Sequence, residues 1–213
     1  FMLLAAGSRG AWVGAIAGGG KTEYDEGNAI TNVIEATLAG LAAGSTLSNE
    51  HLNAENYALS YNFGGSFAFN DVFSVAAGAR YVKATREVDA FATNSALGNV
   101  IGIYEEEADG YGWLASINIS PSDSFLLAVR YESIVELEYK TEIDGGTNAL
   151  GTQILGGLGK TNGGKFDRDI PALLGVGVAF KPIDSLTIES SFTYYFEEDA
   201  DWDNAVSNVD NSW

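Results

Sequence analysis

The most regular feature of the chain is an alternation of apolar and polar residues with a period of two. Such alternation predicts β-strands with one apolar face and one polar face. Gly, Ser and Ala predominate on the second face, together with a few charged residues. The pattern therefore predicts an all-β protein with about seven strands. The alternating stretches start at Ala11 (the weakest, ending at Tyr24), Tyr57, Phe73, Tyr111, Phe125, Ile170 and Leu186.

The connections between these strands are of two alternating kinds. Three are short and contain Pro, Asp or Asn, which favour tight turns, and three are long. The short turns are Asn70-Asp71, Pro121–Ser124 and Pro182–Ser185, and the long connections are Asp25–Leu52, Ala92–Glu107 and Ile143–Lys165. Long strands joined in this way are the layout of an outer-membrane β-barrel. The sequence predicts an antiparallel transmembrane β-barrel with its long loops on the outer side.

Aromatic residues favour the membrane barrel over a soluble fold. Phe67, Phe69 and Phe73 flank the first short turn, whereas Tyr131 and Tyr139 fall toward the opposite strand ends. Aromatic girdles at both water interfaces are typical of a surface that faces lipid. A soluble antiparallel sandwich with one buried face would also alternate, and it stays open as an alternative.

Two of the long loops contain apolar residues. The first set has helical spacing and predicts a short helix between residues 29 and 43, whereas the second lies among glycines. The sets are Ile30, Val33, Ile34, Leu38 and Leu41 in the first loop, and Leu150, Ile154 and Leu155 in the last. Such residues either pack on each other over the barrel mouth or form an apolar collecting site for a hydrophobic ligand.

Composition and charge exclude several classes of function. The 213 residues include 11 Lys and Arg against 29 Asp and Glu, a formal net charge of −18, which argues against a nucleic-acid partner. With no Cys and a single His, His51, disulfides, thiolate metal sites and two-His metal sites are excluded. The mean hydropathy is +0.02. This value fits a barrel wall in which apolar residues that face lipid and polar residues that face the lumen average to near zero.

The acidic segment near the end of the chain matches the start of a calcium-binding loop. Asp199, Asp201 and Asp203 stand at its first three ligand places, but Asn204 replaces the required Gly and Asp210 the bidentate Glu. A solvated acidic loop is therefore favoured, with a weak calcium site as the alternative. The sequence shows no Ser–His–Asp arrangement, so we expect neither an enzyme nor a cofactor.

Three cations are candidates for a ligand site inside the barrel. The period of two predicts that Arg80, Arg130 and Lys140 point inward. Guanidinium and ammonium groups bind carboxylates, and apolar groups hold hydrocarbon. We therefore expect these residues to meet the head group of an amphipathic ligand.

The order of the strand motifs resembles that of the long-chain fatty acid transporter family, the FadL/TodX-like outer-membrane proteins. The individual motifs are loose, but their order and spacing together extend over most of the chain. The similar segments are Gly18-Gly19-Gly20 (an early strand), Phe73–Tyr81 (S-x-x-x-G-x-R-Y), Arg130–Val135 (R-Y-x-S-x-V), Asp169–Lys181 (a late strand) and Tyr194–Trp202 (a strand ending in Asp-Trp).

This resemblance implies a 14-stranded barrel that is plugged by an N-terminal hatch. Hydrophobic substrate is caught between outer loops, bound inside and released through a lateral gap in the wall. The seven predicted strands are half of that number, and the Asn-Pro-Ala signature of the hatch does not precede the first strand. We therefore expect residues 1–213 to be a partial barrel domain, a fragment without the hatch and the remaining strands.

The resulting expectation is a single-chain channel in the outer membrane of a Gram-negative bacterium. Its partners would be a hydrophobic small molecule, such as a long-chain fatty acid, and the lipid around the barrel. A general water-filled porin is one alternative, and it would have a polar constriction without an apolar loop site. A soluble lipid-binding β protein and a surface adhesin acting through its loops are the others.

Overall fold

The computed structural model describes residues 2–6, 9–25, 43–183, 185–203 and 212. These residues form ten β-strands, one α-helix and a short 3-10 turn. The strands are β1 (Met2–Ala6), β2 (Arg9–Tyr24), β3 (Leu47–Ala68), β4 (Phe73–Asn94), β5 (Gly98–Ser122), β6 (Phe125–Glu132), β7 (Glu138–Ile143), β8 (Lys165–Asp167), β9 (Ala172–Ile183) and β10 (Leu186–Phe196). Helix α1 is Ala149–Gly157, and the 3-10 turn is Glu197–Asp199.

The strands form one curled antiparallel sheet, as in half of a barrel. Their order is β1-β2-β3-β4-β5-β6-β9-β10, and β7 pairs with both β5 and β8 beside this path. All seven predicted strands are present, as β2, β3, β4, β5, β6, β9 and β10. The predicted fold class is therefore confirmed for the described residues.

The central strands are longer than the sequence predicts. Strands β3 and β4 have 22 residues each and β5 has 25. The predicted long connection Ala92–Glu107 is wrong, because β4 and β5 stay paired up to Asn94 and Gly98. Asn94 Oδ1 closes the turn by accepting hydrogen bonds from the backbone N–H groups of Ala96 and Leu97, both at 3.0 Å.

The strand predicted to run from Phe125 through Tyr139 is broken after Glu132. Residues 133–137 leave the sheet and lie across β5 at Gly110 and Gly112, where a Cβ on Gly112 would be 2.9 Å from a methyl carbon of Val135. Glycine therefore permits the close approach. Beyond the crossing, β7 pairs again with β5 at Tyr104–Glu107.

Helix α1 lies in the loop that follows β7. The Asn148 side chain caps its first turn by accepting a hydrogen bond from the Gly151 N–H at 2.8 Å. The helix predicted between residues 29 and 43 falls outside the described residues. No helix in the described part of the chain is long and apolar enough to cross a membrane.

Three tyrosines divide the outer face of the sheet into two parts. Tyr61, Tyr81 and Tyr111 are directly opposite one another in register, with ring centroids 6.3 Å and 5.0 Å apart along the row. We call this the tyrosine row. The lower wall extends from it to the short turns, and the upper wall extends from it to the long loops.

The main buried cluster lies on the inner face of the upper wall. Val82, Ala84, Ala108, Val135 and Leu137 form it. Because Val135 and Leu137 belong to the inward-folded residues 133–137, the break in β6 supplies the side chains that cover β4 and β5. The fold thus places a packed layer inside the upper wall.

Candidate inner-face binding site

A cavity of about 550 Å³ opens on the inner face of the upper wall. The inner faces of β2, β3 and β4 form one side of it, and the chain around β7 and β8 forms the other. We call it the inner cavity. The lining residues used below are Arg86, Leu137, Tyr139, Phe166, Arg168 and Ile170.

Two stacked aromatic rings form the apolar side of the inner cavity. Tyr139 and Phe166 are opposite each other in the β7–β8 pair, so their side chains share a face. Their ring centroids are 5.3 Å apart with an interplanar angle of 13°. Leu137 and Ile170 continue this surface, which can hold a hydrocarbon group.

Two arginines border the same cavity. Burial raises the pKa of Tyr139, whereas the charges of Arg168 and Arg86 lower it. Arg168 is exposed, and Arg86 Nη1 lies 3.5 Å from Glu106 Oε2. The cavity therefore combines an aromatic surface with two cations that can bind an anionic group.

Asp169 fixes the position of the chain behind the cavity. Its Oδ1 accepts a hydrogen bond from the Leu137 N–H at 2.9 Å, and its Oδ2 accepts one from the Asp201 N–H at 3.0 Å. Its carbonyl oxygen accepts a further bond from the Trp202 indole N–H at 2.8 Å. One buried carboxylate thus ties the inward-folded segment to the acidic segment that follows β10.

Glu106 is the centre of a buried charge cluster beside the cavity. Its side chain has no exposed surface, and its Oε1 is 2.5 Å from Lys160 Nζ and 3.3 Å from the Thr141 hydroxyl. Lys160 Nζ also lies 4.4 Å from the centre of the Phe166 ring. Because Lys160 follows α1, the cluster attaches the outer loop to the cavity wall.

Two of the predicted lumen cations meet around a single carboxylate below the cavity. Arg80 Nη1 is 2.6 Å from Glu132 Oε2, and Arg130 also forms an ion pair with Glu132. The Arg80 and Glu132 side chains are 13% and 7% exposed, whereas that of Arg130 is 53% exposed. A ligand carboxylate would therefore compete with Glu132 for Arg80, and Arg130 is the accessible member of the pair.

The inward orientation expected for Lys140 is not found. Lys140 is opposite Glu107 in register, and Glu107 lies on the outer face, where it pairs with Lys83 at 2.7 Å. The reason is the break at residues 133–137, after which the alternation no longer continues in phase with β6. A ligand role for Arg80, Arg130 and Lys140 stays a prediction.

The described part of the predicted apolar loop site is packed against the sheet. Ile154 and Leu155 are 3% and 5% exposed, and Ile154 forms a cluster with Val100, on which Leu150 also packs. The first set, Ile30, Val33, Ile34, Leu38 and Leu41, lies outside the described residues. A collecting site formed by the two loops together stays a prediction.

The acidic residues after β10 take part in backbone hydrogen bonds. Asp203 Oδ2 accepts a hydrogen bond from the Asp167 N–H at 3.1 Å, and the Asp201 carbonyl accepts one from the Asp169 N–H at 2.9 Å. Desolvation, with smaller effects from Asp203 and Asp201, raises the pKa of Asp167. Calcium binding by Asp199, Asp201 and Asp203 stays a prediction.

Sequence patterns did not identify the cavity residues. Glu106 lies within a run of glutamates that suggests a solvated loop, and Arg86 lies beyond the apolar part of its strand. The available signal was the pair Gly110 and Gly112, since glycines within a strand indicate close approach of another backbone. That signal indicates a crossing but not which side chains it brings together.

Comparison with solved structures finds barrels of the same fold. A FadL homologue from Pseudomonas aeruginosa matches with a TM-score of 0.57 and 15% identity, over 90% of this chain and 46% of that one. The toluene transporter TodX from Pseudomonas putida matches at 0.55 and 13%, over 92% and 54%. A TodX deltaS2S3 mutant, a monoaromatic hydrocarbon channel, matches at 0.51 and 14%, over 90% and 51%.

No family model and no curated protein sequence matches the chain. The chain spans about half the length of the solved structures it resembles. At these identities the likeness concerns the fold, and it confirms the fold resemblance that the strand motifs indicated. The chain has the fold of about half of a FadL/TodX-type barrel.

Proposed function

We propose that this chain is part of an outer-membrane channel for the uptake of hydrophobic molecules such as long-chain fatty acids. The observation that carries the proposal is the inner cavity, where the stacked rings of Tyr139 and Phe166 lie beside two arginines. Pockets that bind organic ligands are mostly apolar with a few charged or polar groups at defined positions. An amphipathic anion meets both requirements.

The proposed mechanism is binding followed by diffusion, without a cofactor. A carboxylate head group forms charge-assisted hydrogen bonds with Arg168 and with Arg86. The hydrocarbon chain lies on Tyr139, Phe166 and Leu137. Arg86 exchanges part of its interaction with Glu106 for the ligand, while Lys160, at 2.5 Å, keeps Glu106 paired.

The outer face of the lower wall supports a position in a membrane. Phe63, Trp113 and Ile117 are 55%, 54% and 49% exposed, and water is an unfavourable neighbour for such a surface. From Tyr111 to Ile119 the strand rises about 26 Å, or about 20 Å at a tilt of ~40°, near the ~25 Å apolar band of such barrels. We propose lipid as the partner of this surface.

The break in β6 is a candidate for the lateral gap that the family resemblance implies. Strand β6 pairs with β5 only up to Leu114, and β7 pairs with β5 from Glu107 onward. Between these points residues 133–137 are not part of the sheet and lie against its inner face. A ligand leaving the inner cavity would pass this interruption on its way to the lipid.

The decisive experiment compares two probes in liposomes that contain the full-length protein with this sequence. Oleate has a carboxylate and toluene has none, so only oleate binding depends on the arginines. We expect the double variant Arg86→Gln/Arg168→Gln to lose about tenfold or more in oleate affinity and to retain toluene flux. Lys83→Gln is the matched control, because Lys83 lies on the outer face of the same strand.

Three results would contradict the proposal. Flux of small sugars without oleate binding would indicate a general porin. A protein that stays soluble without detergent would indicate a soluble lipid-binding protein. Equal loss of oleate affinity in the double variant and in Lys83→Gln would show that the cavity arginines have no specific role.

A further inference from the structure

The outer face of the upper wall carries three metal-ligating side chains that the proposed function does not use. Glu23 is at the end of β2, Asp25 follows it directly, and His51 is on β3. The ligand atoms of the three residues all lie within 4.8 Å of one another. His51 Nδ1 is 3.0 Å from Asp25 Oδ1.

The register of two strands explains why these side chains converge. Glu23 pairs with Asn53 and Tyr24 with Leu52, so Asp25 continues the register opposite His51. Residues two apart in a strand point to the same face. The β2–β3 ladder therefore fixes Glu23 and the neighbours of His51, whereas Asp25 is the first residue beyond β2 and is positioned by its contact with His51.

The three donor groups indicate which class of metal ion would bind. One imidazole nitrogen with two carboxylates suits Zn²⁺ and related transition metals, whereas Ca²⁺ and Mg²⁺ prefer sites made only of oxygen. We propose that Glu23, Asp25 and His51 bind a divalent transition-metal ion, with Zn²⁺ as the representative ion. Such a site needs only one histidine, which is the number that the chain has.

The surroundings favour a cation at this position. Lys21 Nζ lies 3.7 Å from Glu23 Oε2, and both side chains are more than half exposed, so this ion pair is weak. Asn53, opposite Glu23, has a buried Oδ1 with no hydrogen-bond partner among the described residues. Because Asn53 pairs directly with Glu23, its side chain lies on the same face of the sheet.

The site is open to solvent and distant from the tyrosine row. The Asp25 side chain is 88% exposed and that of His51 is 41% exposed, so an ion reaches the ligands without any rearrangement. His51 is ten residues from Tyr61, about 33 Å along a strand. Its position outside the membrane rests on the proposed function, but metal binding itself does not.

The test is a titration of the detergent-solubilised full-length protein with Zn²⁺. We expect one saturable zinc equivalent that His51→Ala weakens by at least about tenfold, with a similar loss in Asp25→Asn. Calcium at the same concentration should not compete. Glu87→Gln is the matched control, because it removes an acidic group from the same outer face outside the group of three, and it should leave zinc affinity within about twofold.

Several outcomes would overturn the proposal. The first is the absence of saturable zinc binding, and the second is an unchanged zinc affinity in His51→Ala. The third is an equal loss of zinc affinity in Glu87→Gln and Asp25→Asn, because it would indicate diffuse attraction to an acidic surface. Protection of His51 from an imidazole-modifying reagent by Zn²⁺ is a second readout. It uses the unmutated protein and so does not depend on how the variants fold.

Discussion

The lower and upper walls share β3, β4 and β5 but have opposite distributions of apolar side chains. In the lower wall many large apolar residues point outward and are exposed, as at Phe63 and Trp113. In the upper wall the outer face is acidic, and the buried residues, such as Val82, lie on the inner face. In β3, β4 and β5 the register and the period of two continue past the tyrosine row, so in these strands the side chains change at the row while the backbone pairing does not.

The outer face of the upper wall shows this contrast most clearly. Glu55, Glu87, Glu105 and Glu142 are directly opposite one another across four strands. Like charges in such positions repel each other, and water, nearby cations such as Lys83 or protonation of a carboxylate reduces the repulsion. A charged surface of this kind is costly to place in lipid, whereas the surface a few residues below it exposes large apolar side chains such as Phe63 and Trp113.

The largest expected effect concerns the packed layer inside the upper wall. Leu137 is 2% exposed in the main buried cluster. Leu137→Ala should lower the free energy of unfolding by about 4 kcal/mol, because it removes buried contacts and leaves a cavity. Denaturant unfolding in detergent measures the loss.

Leu158→Ala is the control for that variant, since the same change is made at a side chain that is 40% exposed. It should cost less than about 1 kcal/mol. Equal losses in the two variants would show that residues 133–137 do not pack as described.

The next effect concerns the outer face of the lower wall. If the lower wall faces lipid, as we propose, Ile117→Arg should destabilise the protein in vesicles by about 3 kcal/mol, because a charge would then replace an apolar side chain in contact with lipid. Asn118→Arg places the same charge on the inner face of the same strand, where we expect a loss below about 1 kcal/mol. Unfolding titrations in vesicles compare the two, and a larger loss at Asn118 would reverse the assignment of the faces.

A smaller effect is expected at the buried Glu106. Lys160→Met leaves Arg86, 3.5 Å away, as the one cation paired with this carboxylate among the described residues. The variant should lose about 2 kcal/mol, less than when a buried charge is left entirely unpaired. In the double variant Lys160→Met/Glu106→Gln part of the loss should return, and simple additivity of the two changes would contradict the proposed coupling.

The smallest effect concerns the row of glutamates and depends on pH. Desolvation, followed by the charges of Glu107, Glu87 and Glu142, raises the pKa of Glu105. A raised carboxyl pKa means that ionisation destabilises the folded state, so stability should increase as the pH falls through the pKa of folded Glu105. Glu87→Gln should add about 0.5 kcal/mol at neutral pH and flatten this pH dependence.

Asp71→Asn is the control for the pH experiment. It removes a carboxylate from a short turn at the opposite end of the strands and should leave the pH profile unchanged. Identical profiles for Glu87→Gln and the unmutated protein would show that the glutamates do not interact across the row.

The lower wall was predictable from the sequence because it follows one rule throughout. From Phe73 to Tyr81 every odd position is apolar or aromatic, whereas the even positions are small or polar, and pairing and facing follow from that alternation. The upper wall was less predictable, because its outer positions are charged and its inner positions are both polar and apolar. The two faces therefore differ less in polarity, and the alternation is harder to recognise. This is why Ala92–Glu107 was assigned to a loop although most of it is strand.

The candidate site was predictable only in part. The period of two predicted that Arg80 and Arg130 point inward, and both precede the break after Glu132, where they pair with the Glu132 carboxylate; their meeting at one carboxylate was not predicted, and their ligand role stays a prediction. The break after Glu132 determines which way Lys140, Tyr139 and Arg168 face. A local sequence pattern cannot show how far the chain moves out of the sheet at such a break. Contacts such as Glu106 with Lys160, 54 residues apart, arise from the fold alone.

The most direct test of lipid contact in the lower wall uses spin labels. The sequence contains no Cys, so Ile117→Cys, Asn118→Cys and Glu105→Cys each supply a new labelling position in vesicles that contain the protein. We predict that the label at 117 is relaxed mainly by oxygen, which concentrates in lipid, and that those at 118 and 105 are relaxed mainly by a water-soluble nickel complex. Equal nickel access at positions 117 and 118 would contradict a lipid-facing lower wall.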